Sequence, residues 1–160
     1  MIPETFRQEL QARIATAITP REAAVDVMKA LQVHYGWLTD EAVNEAAVLI
    51  GISPLQVEEL ATFYEMIYRR PVGKQVIHCC DSISCWAMGG DTLLQQIGSL
   101  LGIAAGETTS DGLFTLLPCC CLGNCGQAPS MMIGNRLYGQ VTMEQAQEIL
   151  QHERTTTVIG

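Results

Sequence analysis

The sequence predicts an α/β protein made of an N-terminal helical bundle, residues 1–72, followed by a small α/β domain with a mixed sheet, residues 73–160. Three observations predict this division. Through residue 70, apolar residues recur at intervals of three and four, as in amphipathic helices. Short β-branched runs bounded by turn residues begin only after residue 73. All seven cysteines lie in the second part.

Four helices are predicted in the first part. Thr19, Thr39 and Ser53 mark the starts of three of them, because hydroxyl side chains cap helix N-termini. Gly36 and Gly51 are the predicted stops. Short connections favour a compact bundle, in which we expect no cofactor because it has no cysteine and no clustered histidine. The predicted buried positions, helix by helix, are Phe6, Leu10, Ile14 and Ala17; Val25, Met28, Leu31 and Tyr35; Val43, Ala46, Ala47 and Ile50; and Val57, Leu60, Ala61 and Tyr64.

The second part has the predicted element order β-α-β-β-β-α, which is typical of a small α/β sandwich. The predicted strands cover residues 75–79, 113–117, 130–133 and 137–141. A last helix is predicted from a cap at Thr142 to about Gln151, and the residues from Glu153 onwards are expected to form a loose tail. The helix that follows Gly90 is predicted to turn inward the side chains of Leu93, Leu94, Ile97, Leu100 and Leu101.

Four cysteines form two close pairs, Cys80 with Cys85 and Cys121 with Cys125. Each pair can bend around a metal because loop-forming residues separate its members, and four thiolates from two loops are what a metal or iron–sulfur centre needs. No export signal is recognised, so we expect a reducing compartment, where clustered cysteines are interpreted as metal ligands or catalytic thiols in preference to disulfides. The loop-forming residues are Asp81, Ser82 and Ser84 in one pair, and Gly123 and Asn124 in the other.

Spacing alone leaves two kinds of site open, structural zinc and an all-cysteine iron–sulfur cluster. A dithiol redox centre normally uses Cys-x-x-Cys, and the plant-type ferredoxin pattern needs a cysteine where this chain has Met88. A Rieske centre needs paired histidines, which the sequence lacks. Backbone N–H groups at Gly123, Asn124 and Gly126 modestly favour a cluster, because such donors stabilise its negative charge.

Charge and missing motifs disfavour other function classes. The net charge is -8, and a helix-turn-helix-like spacing at Ala47, Gly51 and Val57 lies in a region with six Lys or Arg against ten Asp or Glu, so we expect no nucleic-acid partner. No apolar run of 18 or more residues occurs, and no direct membrane insertion is expected. The chain has no Gly-x-Gly-x-x-Gly or Walker motif for NAD, flavin or ATP, and we assign it no catalytic residue.

Several segments resemble the 24 kDa subunit family of respiratory NADH:quinone oxidoreductases, whose bacterial members are called the E subunit. The resemblance covers roughly residues 20 to 150 and is most specific in the two cysteine motifs. The segments that carry it are Cys80-Asp81-Ser82-Ile83-Ser84-Cys85, Leu116-Leu117-Pro118-Cys119-Cys120-Cys121-Leu122-Gly123-Asn124-Cys125, Gly112-Leu113-Phe114-Thr115, Ala128-Pro129, Tyr138-Gly139-Gln140-Val141-Thr142 and Ala61-Thr62-Phe63-Tyr64-Glu65-Met66.

The resemblance implies a thioredoxin-like domain with one [2Fe–2S] cluster behind a helical bundle. It also implies a heterodimer with a larger subunit that carries FMN, the NADH site and a [4Fe–4S] cluster. The pattern gives no ligand role to Cys79, Cys119 or Cys120, and we expect these three to be small buried hydrophobes. Ligand roles pass to Cys80, Cys85, Cys121 and Cys125.

The expected function is therefore that of an electron-transfer subunit of complex I. The chain would exchange single electrons with FMN on the partner, where the hydride chemistry occurs, at the cytoplasmic face of the cell membrane. Residues 1–72 are expected to dock that flavin subunit. A first alternative is the equivalent subunit of an NAD-linked hydrogenase or formate dehydrogenase. A second, of another class, is a zinc-stabilised adaptor protein.

Overall fold

The computed structural model describes residues 2–159, with side chains through Thr156. The chain divides into two compact units, Met1–Pro71 and Val72–Gly160. Each unit has its own apolar core, one built from helices and the other from a sheet and its helices.

The first unit contains four α-helices, as predicted: α1 (Glu4–Thr16), α2 (Ala24–Tyr35), α3 (Asp40–Ile50) and α4 (Pro54–Phe63). The Thr39 hydroxyl accepts a hydrogen bond from the Ala42 backbone N–H at 3.1 Å, and Ser53 forms a reciprocal capping box with Gln56. Gly36 and Gly51 adopt left-handed conformations at the ends of α2 and α3, as their missing Cβ allows.

The predicted cap at Thr19 is wrong. Its side chain makes no capping hydrogen bond, and the next four residues, Pro20–Ala23, form a 3₁₀ turn. The Glu22 carboxylate instead accepts from the Ile18 N–H at 3.1 Å. The buried face of α2 carries Ala24, Val27, Met28 and Leu31, which are spaced by three and four as on one side of an α-helix. The predicted core residues Val25 and Tyr35 lie outside this face and are only half-buried.

The end of the first unit is held by Arg69. Its guanidinium lies 2.7 Å from the carboxylates of both Glu58 and Asp40 and donates to the Leu38 carbonyl oxygen. The segment after α4 is thereby tied to the start of α3. Tyr64, a predicted core residue, lies just beyond α4 and is exposed. In residues 2–159 no single helix is long and apolar enough to cross a membrane; only α3 and α4 taken together, bent by 112°, meet that criterion.

The second unit contains a mixed four-stranded sheet in the order β2-β1-β3-β4, with β1 parallel to β2 and antiparallel to β3. Two helices connect β1 to β2, since a parallel pair needs a crossover. A mixed sheet was predicted, and this part of the prediction is confirmed. The elements are β1 (Gln75–Cys80), α5 (Ile83–Ala87), α6 (Gly90–Leu101), β2 (Phe114–Cys119), β3 (Met131–Ile133), β4 (Arg136–Tyr138) and α7 (Met143–Ile159).

Three details of this unit differ from the sequence expectations. Residues 83–87 form α5 instead of a loop, because a five-residue helix is too short to show periodicity. Leu100 is 44% exposed and does not face the core. The expected loose tail is helical through Ile159 in α7, since the Glu153 carboxylate is buried and lies 2.9 Å from the Arg136 guanidinium. The predicted cap at Thr142 is confirmed by its hydrogen bond from the Gln145 N–H.

Candidate metal centre

The sheet brings the two cysteine motifs to one edge. Strands β1 and β2 are adjacent and parallel, so their C-terminal ends lie side by side, with Cys80 opposite Cys119 in register. Beyond the strands, the Asp81 N–H donates to the Cys119 carbonyl oxygen at 3.0 Å. Cys80, which starts the first motif, therefore lies beside Cys119, the first of the three consecutive cysteines.

Strand alternation separates Cys79 from Cys80. Successive side chains of a strand point to opposite faces, and Cys79 packs with Ile77 in the main core of the unit. Cys80 instead belongs to a separate small cluster with Cys85 and Cys119. Burial raises the pKa of Cys79 to about 12, so this thiol stays neutral and behaves as an apolar core side chain. The expectation of a buried hydrophobe is met at Cys79.

Helix α5 carries the second member of the first pair. Cys85 is buried and hydrogen-bonds to Cys80, and burial is the main reason why its pKa is raised, with the Cys80 contact adding to the effect. Gly90, in the first turn of α6, allows this close packing. A Cβ built there would lie 2.8 Å from the Cys85 carbonyl oxygen and 3.0 Å from that of Cys80.

The second pair lies in the exposed segment after β2. The Sγ atoms of Cys121 and Cys125 are 3.3 Å apart, and the Gly123 N–H points to the Cys121 sulfur at 3.4 Å. This N–H, followed by the contact with Cys125, lowers the pKa of Cys121. The pKa of Cys125 is raised, chiefly by the same contact with Cys121. Gly123 can form this turn because its φ of 78° is unfavourable for other residues.

Contacts also join the two pairs to each other. The Ser84 hydroxyl of α5 hydrogen-bonds to Cys125, and Cys80 is close enough to act on Cys125 through its charge. The sequence predicts Ser84 only as a loop-forming residue, because its contact with the loop of Cys125 is a tertiary one. In the described part of the chain, no three His, Cys, Asp or Glu side chains are grouped as they are around a metal ion.

The remaining two cysteines behave differently from one another. Cys119 is buried beside Cys80 and Cys85, as expected. Cys120 is exposed, so the expectation of burial is wrong there. The reason is that β2 ends at Cys119 and the chain bends away from the sheet at the next residue.

The donor set fits a binuclear cluster. In an all-cysteine [2Fe–2S] centre four thiolates are required, two for each iron, and the chain provides one buried pair and one exposed pair that are linked through Ser84. Backbone and hydroxyl donors aimed at sulfur, from Gly123 and Ser84, suit thiolates that share a negatively charged group.

Comparison with known proteins decides the family. The sequence model of a protein family described as "Thioredoxin-like [2Fe-2S] ferredoxin" matches residues 10–154. The chain belongs to this ferredoxin family. The resemblance noted in the sequence and the thioredoxin-like fold class are thereby confirmed.

Two relatives of this ferredoxin are named as the E subunit of NADH-quinone oxidoreductase. The protein of Pseudomonas aeruginosa is 38% identical over 151 residues, covering 94% of this chain and 91% of the relative. That of Escherichia coli K12 is 40% identical over 157 residues, covering 93% and 95%. Among solved structures, an NAD+-reducing [NiFe]-hydrogenase has the same fold, with a TM-score of 0.68 and 20% identity. This comparison covers 81% of the ferredoxin chain but only 23% of the hydrogenase chain.

Gly90, the first residue of α6, gives a direct test of how the cysteine segments are packed. Gly90→Ala is expected to reduce cluster content and to lower the free energy of unfolding by about 2 kcal/mol, because the added methyl meets backbone atoms that cannot move aside independently. The control is Gly126→Ala, which adds the same methyl next to Cys125 with no atom beyond the two neighbouring residues within 4 Å. Iron per chain and urea unfolding measure both effects. Equal iron content and equal stability of the two variants would show that the close approach is unimportant.

Proposed function

We propose that this chain is the [2Fe–2S] electron-transfer subunit of an NADH:quinone oxidoreductase, complex I. The proposed ligands are Cys80, Cys85, Cys121 and Cys125. The observation that carries the proposal is the juxtaposition of the two cysteine pairs at one edge of the sheet. The names of relatives that match more than nine-tenths of the chain support the choice of complex.

The chain contributes position, burial and hydrogen bonding. Strand β1 and helix α5 would hold one side of the site in the protein interior, while the turn at Gly123 holds the other side at the surface. A bound [2Fe–2S] cluster supplies one-electron redox chemistry, and its potential depends on burial and on hydrogen bonds to its sulfur atoms. The exposed cysteine pair would face the route by which electrons enter or leave.

The chemistry of hydride transfer is proposed to lie on a neighbouring subunit. This chain has no nucleotide-binding motif, so we place FMN and NADH on a larger partner with which it forms a heterodimer. The first unit, Met1–Pro71, is proposed to dock that partner. The assembly would lie at the cytoplasmic face of the membrane, with this chain contributing no membrane-spanning segment.

The hydrogenase alternative has weaker support. The similarity to the NAD+-reducing hydrogenase, at 20% identity, concerns the fold alone. Relatives near 40% identity instead carry the name of the quinone oxidoreductase subunit. Sequence similarity over most of the chain therefore favours the quinone-reducing complex.

Iron and sulfide content tests the proposal. Anaerobically purified protein is expected to hold about two iron atoms and two acid-labile sulfides per chain, because four cysteine ligands serve one [2Fe–2S] cluster. Iron, zinc and sulfide are measured on the same sample, together with the visible absorption spectrum. Zinc without sulfide, in a colourless protein, would reject the proposed function and leave the zinc-stabilised adaptor.

A further inference from the structure

The segment at residues 138–142 carries part of the family resemblance but contains no cysteine. It runs from the last residue of β4 to the residue before α7. Its backbone is hydrogen-bonded to the loop of the second cysteine pair. The Gln140 N–H donates to the Gln127 carbonyl oxygen at 2.6 Å, and the Val141 N–H donates to the Pro129 carbonyl oxygen at 3.0 Å. The segment after β4 therefore lies directly against this loop.

Residues 124–127, which we call the Cys125 turn, receive the first of these hydrogen bonds. The turn is closed by the Gln127 N–H, which donates to the Asn124 carbonyl oxygen at 2.9 Å. The Asn124 side-chain amide donates to the buried Ser130 hydroxyl at 3.2 Å, and the Ser130 carbonyl oxygen accepts the Cys80 N–H at 3.1 Å. The Cys125 turn is thus tied to the segment after β4 and, through Ser130, to β1.

Gly139 allows the segment after β4 to approach the Cys125 turn this closely. A Cβ built on Gly139 would lie 2.6 Å from the Asn124 Nδ2 and 2.6 Å from both the Cβ and the Oε1 of Gln127. These distances are well below the optimal separation of non-bonded atoms, about 3.5–4.0 Å between carbons. Gly139 does not have the left-handed φ that favours glycine, whereas Gly134 of the same hairpin does. The close approach, and not the backbone conformation, therefore requires a glycine at position 139.

The backbone of Gln140 is also shaped by this contact. Its φ is 51°, which is uncommon for a residue other than glycine, asparagine or aspartate. Unfavourable backbone conformations persist where the surrounding contacts hold them. The hydrogen bonds from Gln140 to Gln127 and from Val141 to Pro129 supply that restraint.

We propose that Gly139 is a positioning residue for Cys125, because its missing side chain lets the segment after β4 hold the Cys125 turn and so retain the cluster at its exposed side. This inference rests on the proposed function, since it requires a cluster on the four cysteines. Cys121 and Cys125 are exposed, so a competing ligand can reach this side of the site. A sulfur that is held in place has a high effective concentration at the iron and rebinds before a competitor replaces it.

The test measures iron release from the full-length, cluster-loaded chain to excess EDTA under anaerobic conditions, followed by the loss of visible absorbance. Gly139→Ala is expected to release iron about tenfold faster than the native chain, because the methyl overpacks the closed turn and this strain is relieved when the turn opens. Gly126→Ala adds the same methyl within the Cys125 turn, with no atom beyond the two neighbouring residues within 4 Å, and is expected to release iron at the native rate. A native rate for Gly139→Ala would overturn the inference.

The Gln127 side chain offers a rescue that depends on the proposed contact. Gln127→Gly removes both Gln127 atoms that the added methyl would meet, whereas Gln127→Ala retains the Cβ. The remaining contact is with the end of the Asn124 side chain, which can turn aside. Gly139→Ala is therefore expected to have little effect on iron release in the Gln127→Gly background and most of its effect in the Gln127→Ala background. Equal effects in the two backgrounds would contradict the proposed contact.

Hydrogen exchange locates the change within the chain. In Gly139→Ala, amide exchange is expected to accelerate in the Cys125 turn and to stay native in β1 and α6. Faster exchange in β1 and α6 as well would show a general loss of stability and reject the positioning role. If Gly139→Ala is isolated without iron, recovery of iron in the double variant with Gln127→Gly supports the contact, and its loss there rejects it.

Failure of the proposed function is distinguishable from failure of this inference. A native chain that contains no iron and sulfide would reject the proposed function. Hydrogen exchange in the Cys125 turn of the native and Gly139→Ala chains would still show whether Gly139 positions that turn.

Discussion

Cys121→Ala is expected to abolish the electron paramagnetic resonance signal of the dithionite-reduced protein. The Cys121 sulfur lies 3.3 Å from that of Cys125, and the Gly123 N–H stabilises its thiolate. In the proposed ligand set, its removal would leave one iron with a single cysteine. An alanine cannot supply a replacement ligand. The cluster should then be lost or be too unstable to isolate.

The neighbouring cysteine provides the control for this experiment. Cys120→Ala changes the adjacent exposed position and is expected to retain the signal. Cys79→Ala, which removes a sulfur from the main core, should also retain it and cost only stability, on the order of 1 kcal/mol for a small cavity. A normal signal from Cys121→Ala with a lost one from Cys120→Ala would move the ligand assignment by one residue.

Deleting residues 1–71 is expected to abolish stable association with the flavin subunit while leaving the cluster spectrum intact. Each unit has its own core, so the second unit retains its buried sheet residues after the deletion. The first unit exposes large apolar side chains that its own core does not use, among them Ile18, Val33, Leu55 and Phe63. Loss of their burial against a partner would weaken binding by the hydrophobic effect.

Co-purification of the chain with the flavin subunit tests this prediction. The full-length and truncated chains are co-expressed with the neighbouring subunits, and the amount of flavin recovered with each is compared. The visible spectrum of the truncated chain is the internal control, because it shows whether the second unit has kept its cluster. A truncated chain that recovers as much flavin as the full-length chain would show that docking depends on the second unit.

Local sequence signals predicted much of the fold. Thr39, Ser53 and Gly51 are recognisable as helix boundaries because the interactions that define them lie within one turn of the chain. The helix boundary near Thr19 was predicted wrongly, since Pro20–Ala23 forms a 3₁₀ turn and α2 begins only at Ala24. Val27, and not Val25, lies on the buried face of α2, because packing against the neighbouring helices decides which face is turned inward.

For the candidate site, the sequence alone determined the two cysteine pairs, because residue type and spacing are properties of the chain. It limited their chemistry to structural zinc or an iron–sulfur cluster. The motif resemblance further selected Cys121 among three consecutive cysteines. Only the tertiary structure decided what surrounds them. Parallel pairing of β1 with β2 sets Cys80 beside Cys119, and the antiparallel strand β3 brings Ser130 to the same edge. Such contacts join residues far apart in the chain, and no local periodicity or spacing encodes which donor reaches which sulfur.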